Sequence, residues 1–418
     1  MEFVTIIDFG HCGKCDMNGK FRLVEFLLLL PLLSGTCFAA SIAGSFVSLH
    51  SKHGEQMITG DKSPVKSKVV IAGHRDIIYE PAWSPDGKFV AVGGEGLSVN
   101  VWDGTTHQLL RTLLLKGNGS GNGSVAFSPD GRYLAAGLKV ISIWDAKTGE
   151  WIRDIVGPFV DATRPQPRGI RSLAFSPDSK NLIAAYIGAS ERGGMVDTSV
   201  ALYRVDTGKT LYAFEPRGLL GTKVFFTTDG KYLVDGRYEI FREPDSEGRP
   251  ISNIEYKTYV DIWDAHTGKP VRNITPVHVM SPTALALSSD NKLIATATST
   301  GTKESDKNVN TNKWQYIDNE DPIRIWDFAT GHLVKELDGV KSTVMSMSFN
   351  PNGRYLVSCQ WDKNDKTIWV WDVASGSIVD RLETSKYAGP PMGCMFSPDG
   401  SRLAAVNGEE FFFVEFNR

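Results

Sequence analysis

From residue 67 onward, short β-type runs alternate with one recurring turn signal. It reads Ser84-Pro-Asp-Gly87, Ser128-Pro-Asp-Gly131, Ser176-Pro-Asp-Ser179, Thr227-Thr-Asp-Gly230, Ser288-Ser-Asp-Asn291, Asn350-Pro-Asn-Gly353 and Ser397-Pro-Asp-Gly400. The chemistry of the signal explains its use. Pro presets φ at the second position of a type I turn, Asp bonds the nearby backbone, and Gly or Asn accepts a left-handed fourth position. Apolar runs flank each signal, such as Val125-Ala-Phe127 before and Tyr133-Leu-Ala-Ala136 after. Each signal therefore predicts a hairpin.

A second signal follows each of the first six turns: Trp102-Asp103, Trp144-Asp145, Tyr203-Arg204, Trp263-Asp264, Trp326-Asp327 and Trp371-Asp372. In five of the six, a Gly lies five residues after the aromatic (149, 208, 268, 331 and 376), which predicts another turn. A further apolar stretch comes next, such as Ile152–Ile155 or Leu333–Leu337. Each unit thus holds four short strands, a to d, joined as a meander. A residue that recurs in every unit of a repeat packs the units together. Trp102, Trp144, Trp263, Trp326 and Trp371 are therefore assigned to packing, and Asp103, Asp145, Asp264, Asp327 and Asp372 to capping the turn that follows. Trp361-Asp362 falls one strand too early to belong to the series.

The seven turns recur every 52 residues or so, near the roughly 40–45 of WD repeats plus insertions. On these motifs the chain resembles the WD-repeat β-propeller family over about residues 67–418, as an exported member of bacterial type. The resemblance implies an all-β, seven-bladed β-propeller of four-stranded antiparallel blades and, in most relatives, an interaction scaffold rather than an enzyme. The family's Gly-His pair occurs only as Gly73-His74. The polar set that ties His, a strand hydroxyl and Trp together is therefore expected to be mostly missing. The ends agree with a ring. The last unit stops after Phe411–Phe416, one strand short, and Lys68-Val-Val-Ile71 is a strand with no unit. Pairing the two closes the ring and removes its open edges.

Residues 1–66 precede this pattern. Lys20 and Arg22, the apolar run 26–33 and the small residues Ser34, Gly35, Ala39, Ala40 and Ala43 form a secretory signal peptide pattern over 1–43. Met17 opens it, so 1–16 reads as a misassigned extension. Two alternatives stand beside cleavage. Residues 23–49 are long enough for an uncleaved membrane anchor, and Cys37 is positioned as a lipid-attachment cysteine with a poor match before it. Residues 44–66 read as a linker. A periplasmic or secreted location is expected, with membrane contact only through an uncleaved N-terminal segment.

Composition narrows the function. The 418-residue chain carries 45 Lys and Arg against 48 Asp and Glu, a net charge of −3. No basic field exists to hold a phosphate backbone, so nucleic acid is excluded as a partner. Past the signal segment only Cys359 and Cys394 remain. They are expected as two separate buried thiols rather than a bridge. The eight histidines include no nucleophile motif, and the strand a segments are almost entirely apolar or small. No catalytic residue, metal or cofactor is therefore expected. The contrasting reading is an exported lactonase, lyase or quinoprotein-like oxidoreductase with a site in the central channel.

Successive connections in a meander alternate ends. The a–b and c–d turns share one face and are short. The insertions at 156–170, 188–198, 242–257 and 299–322 share the other, where a protein partner, or a glycan, is expected. The 299–322 insertion supplies Trp314 and Tyr316 as aromatic anchors and Asp318 as a polar neighbour, with Arg242 and Tyr256 added from 242–257. Its acidic residues invite calcium, but without the spacing of a known calcium loop.

Overall fold

The computed structural model describes residues 64–416, apart from 73–77, 95–96, 116–123, 158–168, 188–197, 215–222, 245–249, 275–281, 299–320, 341, 362–365, 385–388, 390 and 408–409. Residues 1–63, which hold the expected signal peptide and most of the expected linker, lie outside the described residues; Val65 and Lys66, expected as linker, open a strand instead.

Seven four-stranded antiparallel sheets follow one another around a ring. Blade 1 is built from Ile78–Trp83, Phe89–Gly94, Ser98–Asp103 and Leu109–Leu114. Blades 2, 3, 4, 5 and 6 follow within 124–156, 169–214, 224–274, 282–337 and 343–383. Blade 7 takes Gly393–Phe396, Arg402–Asn407 and Glu410–Phe416 from the C-terminus and Val65–Ala72 from the N-terminus. The closing pair runs antiparallel from Val65 opposite Phe416 to Ala72 opposite Glu410. Ring closure by the N-terminal strand is therefore a property of this fold.

The turns form as their residues dictate. In the first, Ser84 Oγ donates to Asp86 Oδ1 at 2.7 Å, Lys88 N donates to the same oxygen at 3.1 Å, and Gly87 N donates to Ser84 O at 2.9 Å. Gly87 takes φ of 68°. Ser179 and Asn291 occupy the equivalent position at 61° and 58°. At the c–d turn of blade 1, His107 stands where five other blades have Gly, at φ of 61°. Its ring stacks on Phe413 with centroids 4.3 Å apart.

Each aspartate after the aromatic accepts bonds from the turn ahead. Asp103 takes Thr105 N at 2.8 Å and Thr106 N at 2.7 Å. Asp145 takes Lys147 N and Thr148 N, Asp264 takes His266 N and Thr267 N, Asp327 takes Thr330 N, and Asp372 takes Ser375 N. These bonds hold the five carboxyls below the usual carboxylate range. For Asp103, Asp145 and Asp372 the backbone N–H is the largest cause. For Asp264 and Asp327 it is the threonine hydroxyl. An acid with a depressed folded value contributes stability above its unfolded value and loses it as pH falls through the folded one. The ring is expected to weaken as pH drops below about 4. Thermal unfolding from pH 6 to pH 2.5 checks this. Asn at 103, 145, 264, 327 and 372 together should flatten the acid limb.

The Trp series packs between blades. Trp371 is fully buried, and Trp102, Trp144 and Trp326 nearly so. The polar set expected to be mostly missing survives in part. Trp326 Nε1 donates to Thr296 Oγ1 and Trp371 Nε1 to Ser358 Oγ, each at 2.9 Å. In blade 3, Tyr203 replaces Trp, and its hydroxyl meets that of Tyr186 at 2.7 Å. Both phenols are buried, which raises their pKa values.

The seam between blades 7 and 1 is aromatic. Trp83 lies edge-on to Phe413 at 5.6 Å, and Trp102 lies 5.7 Å from Phe411. Trp83 Nε1 donates to Met395 O at 3.0 Å. The Arg402 guanidinium sits 5.0 Å over the Trp83 ring and donates to the carbonyls of Gly87 and Gly104. It clamps both turns of blade 1 onto blade 7.

Candidate functional site

The two faces of the ring differ as the meander requires. One carries the a–b and c–d turns. The other carries the b–c and d–a connections; 158–168, 188–197 and 299–320 lie outside the described residues. Trp314, Tyr316 and Asp318 lie outside the described residues.

The insertion at 242–257, expected as a loop, is instead mostly strand. Strand b of blade 4 runs Tyr232–Pro244 and strand c runs Pro250–Asp264, 13 and 15 residues against 6 for the same strands of blade 1. The pairing continues past the blade: Glu239 opposite Lys257, Ile240 opposite Tyr256, Arg242 opposite Ile254. The reason is visible in the sequence. Arg237-Tyr-Glu-Ile-Phe241 and Ile254-Glu-Tyr-Lys-Thr-Tyr259 alternate β-branched or aromatic residues with charged ones, as a two-stranded ribbon requires. Some seven extra residues per strand at about 3.3 Å each project the ribbon roughly 20 Å beyond the blade. Arg242 and Tyr256 are thus placed on one arm at neighbouring register positions; their side chains lie outside the described residues.

Three apolar side chains stand exposed at this end of the ring. Trp361 ends strand b of blade 6 and is 47% exposed. Leu114 and Val156 end strand d of blades 1 and 2 and are exposed as well. The sequence reading set Trp361 aside because it broke the Trp-Asp register. That departure was the signal: a Trp outside the packing series has no packing duty. The turn face offers a different surface, where Lys88, Lys180, Lys231 and Lys292 each pair with the turn aspartate two residues earlier.

The central channel is less apolar than the sequence of the strand a segments implies. Four residues before the turn signal of each blade stand Glu80, Ser124, Ser172, Lys223, Ala284, Ser346 and Gly393. Lys223 Nζ of blade 4 reaches Glu80 Oε1 of blade 1 at 2.5 Å, and Ser346 Oγ of blade 6 donates to the same oxygen at 3.1 Å. The hydroxyls link neighbouring inner strands: Leu173 N donates to Ser124 Oγ at 3.1 Å, and Val224 N to Ser172 Oγ at 3.1 Å. Glu80 and Lys223 neutralise each other, and the rest are hydroxyls and small residues. Among the described residues no cluster of three or more His, Cys, Asp or Glu is arranged to hold a metal.

Cys359 and Cys394 are free and fully buried. They are two separate thiols, as expected, and they adjoin: burial and the neighbouring Cys394 thiol push the Cys359 thiol up. Cys394 Sγ also lies 3.8 Å from Ser346 O. Two free thiols per chain are expected from thiol titration of a denatured, unreduced chain that begins at residue 44. None would mean a bridge.

Residues 65–103, 109–145 and 331–372 match the WD domain, G-beta repeat family. The matched segments run from the closing strand of blade 7 through the third strand of blade 2, apart from 104–108, and from the fourth strand of blade 5 through the third strand of blade 6. The chain also has relatives by sequence. It is 26% identical over 304 residues to the nuclear distribution protein PAC1 of Arthroderma otae, covering 70% of this chain and 59% of that protein. It is 34% identical over 119 residues to the protein HIR1 of Mycosarcoma maydis, covering 28% of this chain and 11% of that one. It is 33% identical over 85 residues to the probable cytosolic iron-sulfur protein assembly protein Ciao1 of Culex quinquefasciatus, covering 19% and 25%. These relatives are eukaryotic, so a bacterial source finds no support among them. The blade 4 arm lies outside the three matched segments, and Trp361 lies within the third.

Proposed function

We propose that this WD-repeat propeller is a non-catalytic scaffold that binds a protein partner through the face bearing the b–c and d–a connections. The observation that carries the reading is the blade 4 arm. A paired ribbon projecting past a closed ring adds surface that ring stability does not require. Trp361 joins it as a buried anchor once a partner covers it, because a large rigid aromatic contributes contact area at low entropy cost. The sequence supports the same role for Trp314 and Tyr316 of the 299–322 insertion, with Asp318, Arg242 and Tyr256 as further contacts. A glycan remains the alternative ligand for aromatics beside carboxylates. The channel supports an enzyme less well, since its Glu80–Lys223 ion pair is internally neutralised.

Affinity capture of partners from the native source tests this. Trp361→Ala should weaken capture about tenfold or more, on the scale of an aromatic anchor. Replacing 299–322 by a Gly-Asn turn should weaken it further and leave the ring folded. Charge changes on the turn face at Lys147, His266 and His332 should have no effect. Loss of capture with those changes alone would reverse the face.

The setting is proposed from residues 17–43. Their basic start, apolar run and small residues support export and cleavage near Ala40 or Gly44. Intact mass of the natively expressed protein decides this. A mass matching all 418 residues favours an anchor or a protein that is not exported.

A further inference from the structure

Blade 4 carries an acid where blades 5 and 6 carry a hydroxyl. In blade 5 the residue two past the partner of Trp326 is Thr296, and in blade 6 the residue two past the partner of Trp371 is Ser358. Both accept from the indole. The same position in blade 4, two past the Leu233–Trp263 pair, is Asp235. Directly opposite Asp235 on strand c is a second acid, Asp261. Arg237, two residues along strand b, binds Asp261 Oδ2 through Nε and lies 4.3 Å over the Tyr259 ring. Asp235 Oδ1 is sealed from solvent and has no hydrogen-bond partner.

Strand alternation places Leu233, Asp235, Arg237, Tyr259, Asp261 and Trp263 on one flank of the blade. Leu233 and Trp263 pack there with Ile183, Ala185, Val200 and Leu202 of blade 3, so this flank is the seam between blades 3 and 4. The groups that face Asp235 are few. On strand a its partner is Val224, and the adjacent Lys223 is held by Glu80 across the channel. The blade 3 side is the apolar set just named. The charges acting on Asp235 are Asp261 and Arg237. Two acids therefore share one guanidinium, which is already bound to Asp261.

We propose that the Asp235–Asp261 pair carries one proton at neutral pH and acts as a protonation switch in the seam between blades 3 and 4. With the proton in place, the two acids and Arg237 sum to zero charge. Without it, two carboxylates oppose each other across one ladder position beside an apolar seam, and like charges directly opposite destabilise a sheet. Burial, then Asp261, push the Asp235 carboxyl up to about 8, against the lowering pull of Arg237. The folded value lies above the unfolded value of about 3.9, so between the two the folded chain binds more protons than the unfolded chain. Stability therefore falls as pH rises from about 4 to about 8 and levels off beyond. Arg237 and Asp261 also line a groove of about 320 Å³ with Trp263, Pro270, Arg272 and Asn273.

Two measurements test the switch on the full chain. The first follows the Asp235 side-chain carbon by NMR from pH 3 to pH 10. A midpoint near 8 is expected, and a midpoint near 4 overturns the proposal. The second compares wild type with Asp235→Asn and with Asp235→Thr, which restores the residue type of blade 5. Relative to wild type, the folding constant of either variant should rise about tenfold or more between pH 5 and pH 8.5. A ratio independent of pH overturns the proposal. Should neither variant fold, the wild-type titration decides alone.

Discussion

A chain lacking Val65–Ala72 will not keep a closed ring. That strand is the fourth of blade 7, and its loss leaves Glu410–Phe416 as an open edge. The exposed strand would be apolar to an unusual degree. Phe411, Phe412, Phe413 and Phe416 are all fully buried in the intact ring. Further ties vanish with the strand: Lys68 Nζ donates to Glu383 O at 2.5 Å and lies 4.9 Å over the Phe412 ring, and Ser67 Oγ donates to Glu415 at 3.2 Å. An apolar, unpaired edge recruits other chains. The expected outcome is a melting temperature lower by about 10 °C or more, or aggregation at room temperature. Differential scanning calorimetry with light scattering checks it. Unchanged melting and a monomeric profile would mean that the aromatic seam closes the ring without the strand.

Trp371→Ala should be the most damaging single change in the repeat series. Its side chain is fully buried, touches Trp369 at 5.5 Å and belongs to the core between blades 5 and 6. Truncating an aromatic at such a site removes its transfer energy and leaves a cavity, about 3–5 kcal/mol together. The change also strands the Ser358 hydroxyl. Ser358→Ala removes the same hydrogen bond without the cavity and should cost about 1–2 kcal/mol. Denaturant unfolding separates the two. Equal, small losses would place the series outside the packing that the ring depends on.

The ring was legible in the sequence because each unit repeats its turn chemistry. Pro, Asp and Gly at fixed offsets specify backbone angles locally, so seven weak signals add to one strong one. Closure was legible from a deficit at one end and a surplus at the other. Residues with two possible duties were harder to read. Residues 242–257 combine long chain and charge, which suits a loop, with alternation, which suits a ribbon; cross-strand pairing decided for the ribbon. Glu80 and Lys223 sit in different repeats, 143 residues apart, and only closure of the ring brings them together. Asp235 is ordinary as a strand residue and becomes unusual only opposite Asp261. Trp361 carries the Trp-Asp signature one strand early, and only its exposure on the folded ring separates it from the packing series.

Amide hydrogen exchange on the ring with and without its captured partner tests the scaffold account most directly. The account predicts slowed exchange along the blade 4 arm, residues 238–257, and around Trp361, with the a–b turns such as 84–87 and 128–131 unchanged. Protection confined to those turns, with the arm exchanging as before, would contradict it.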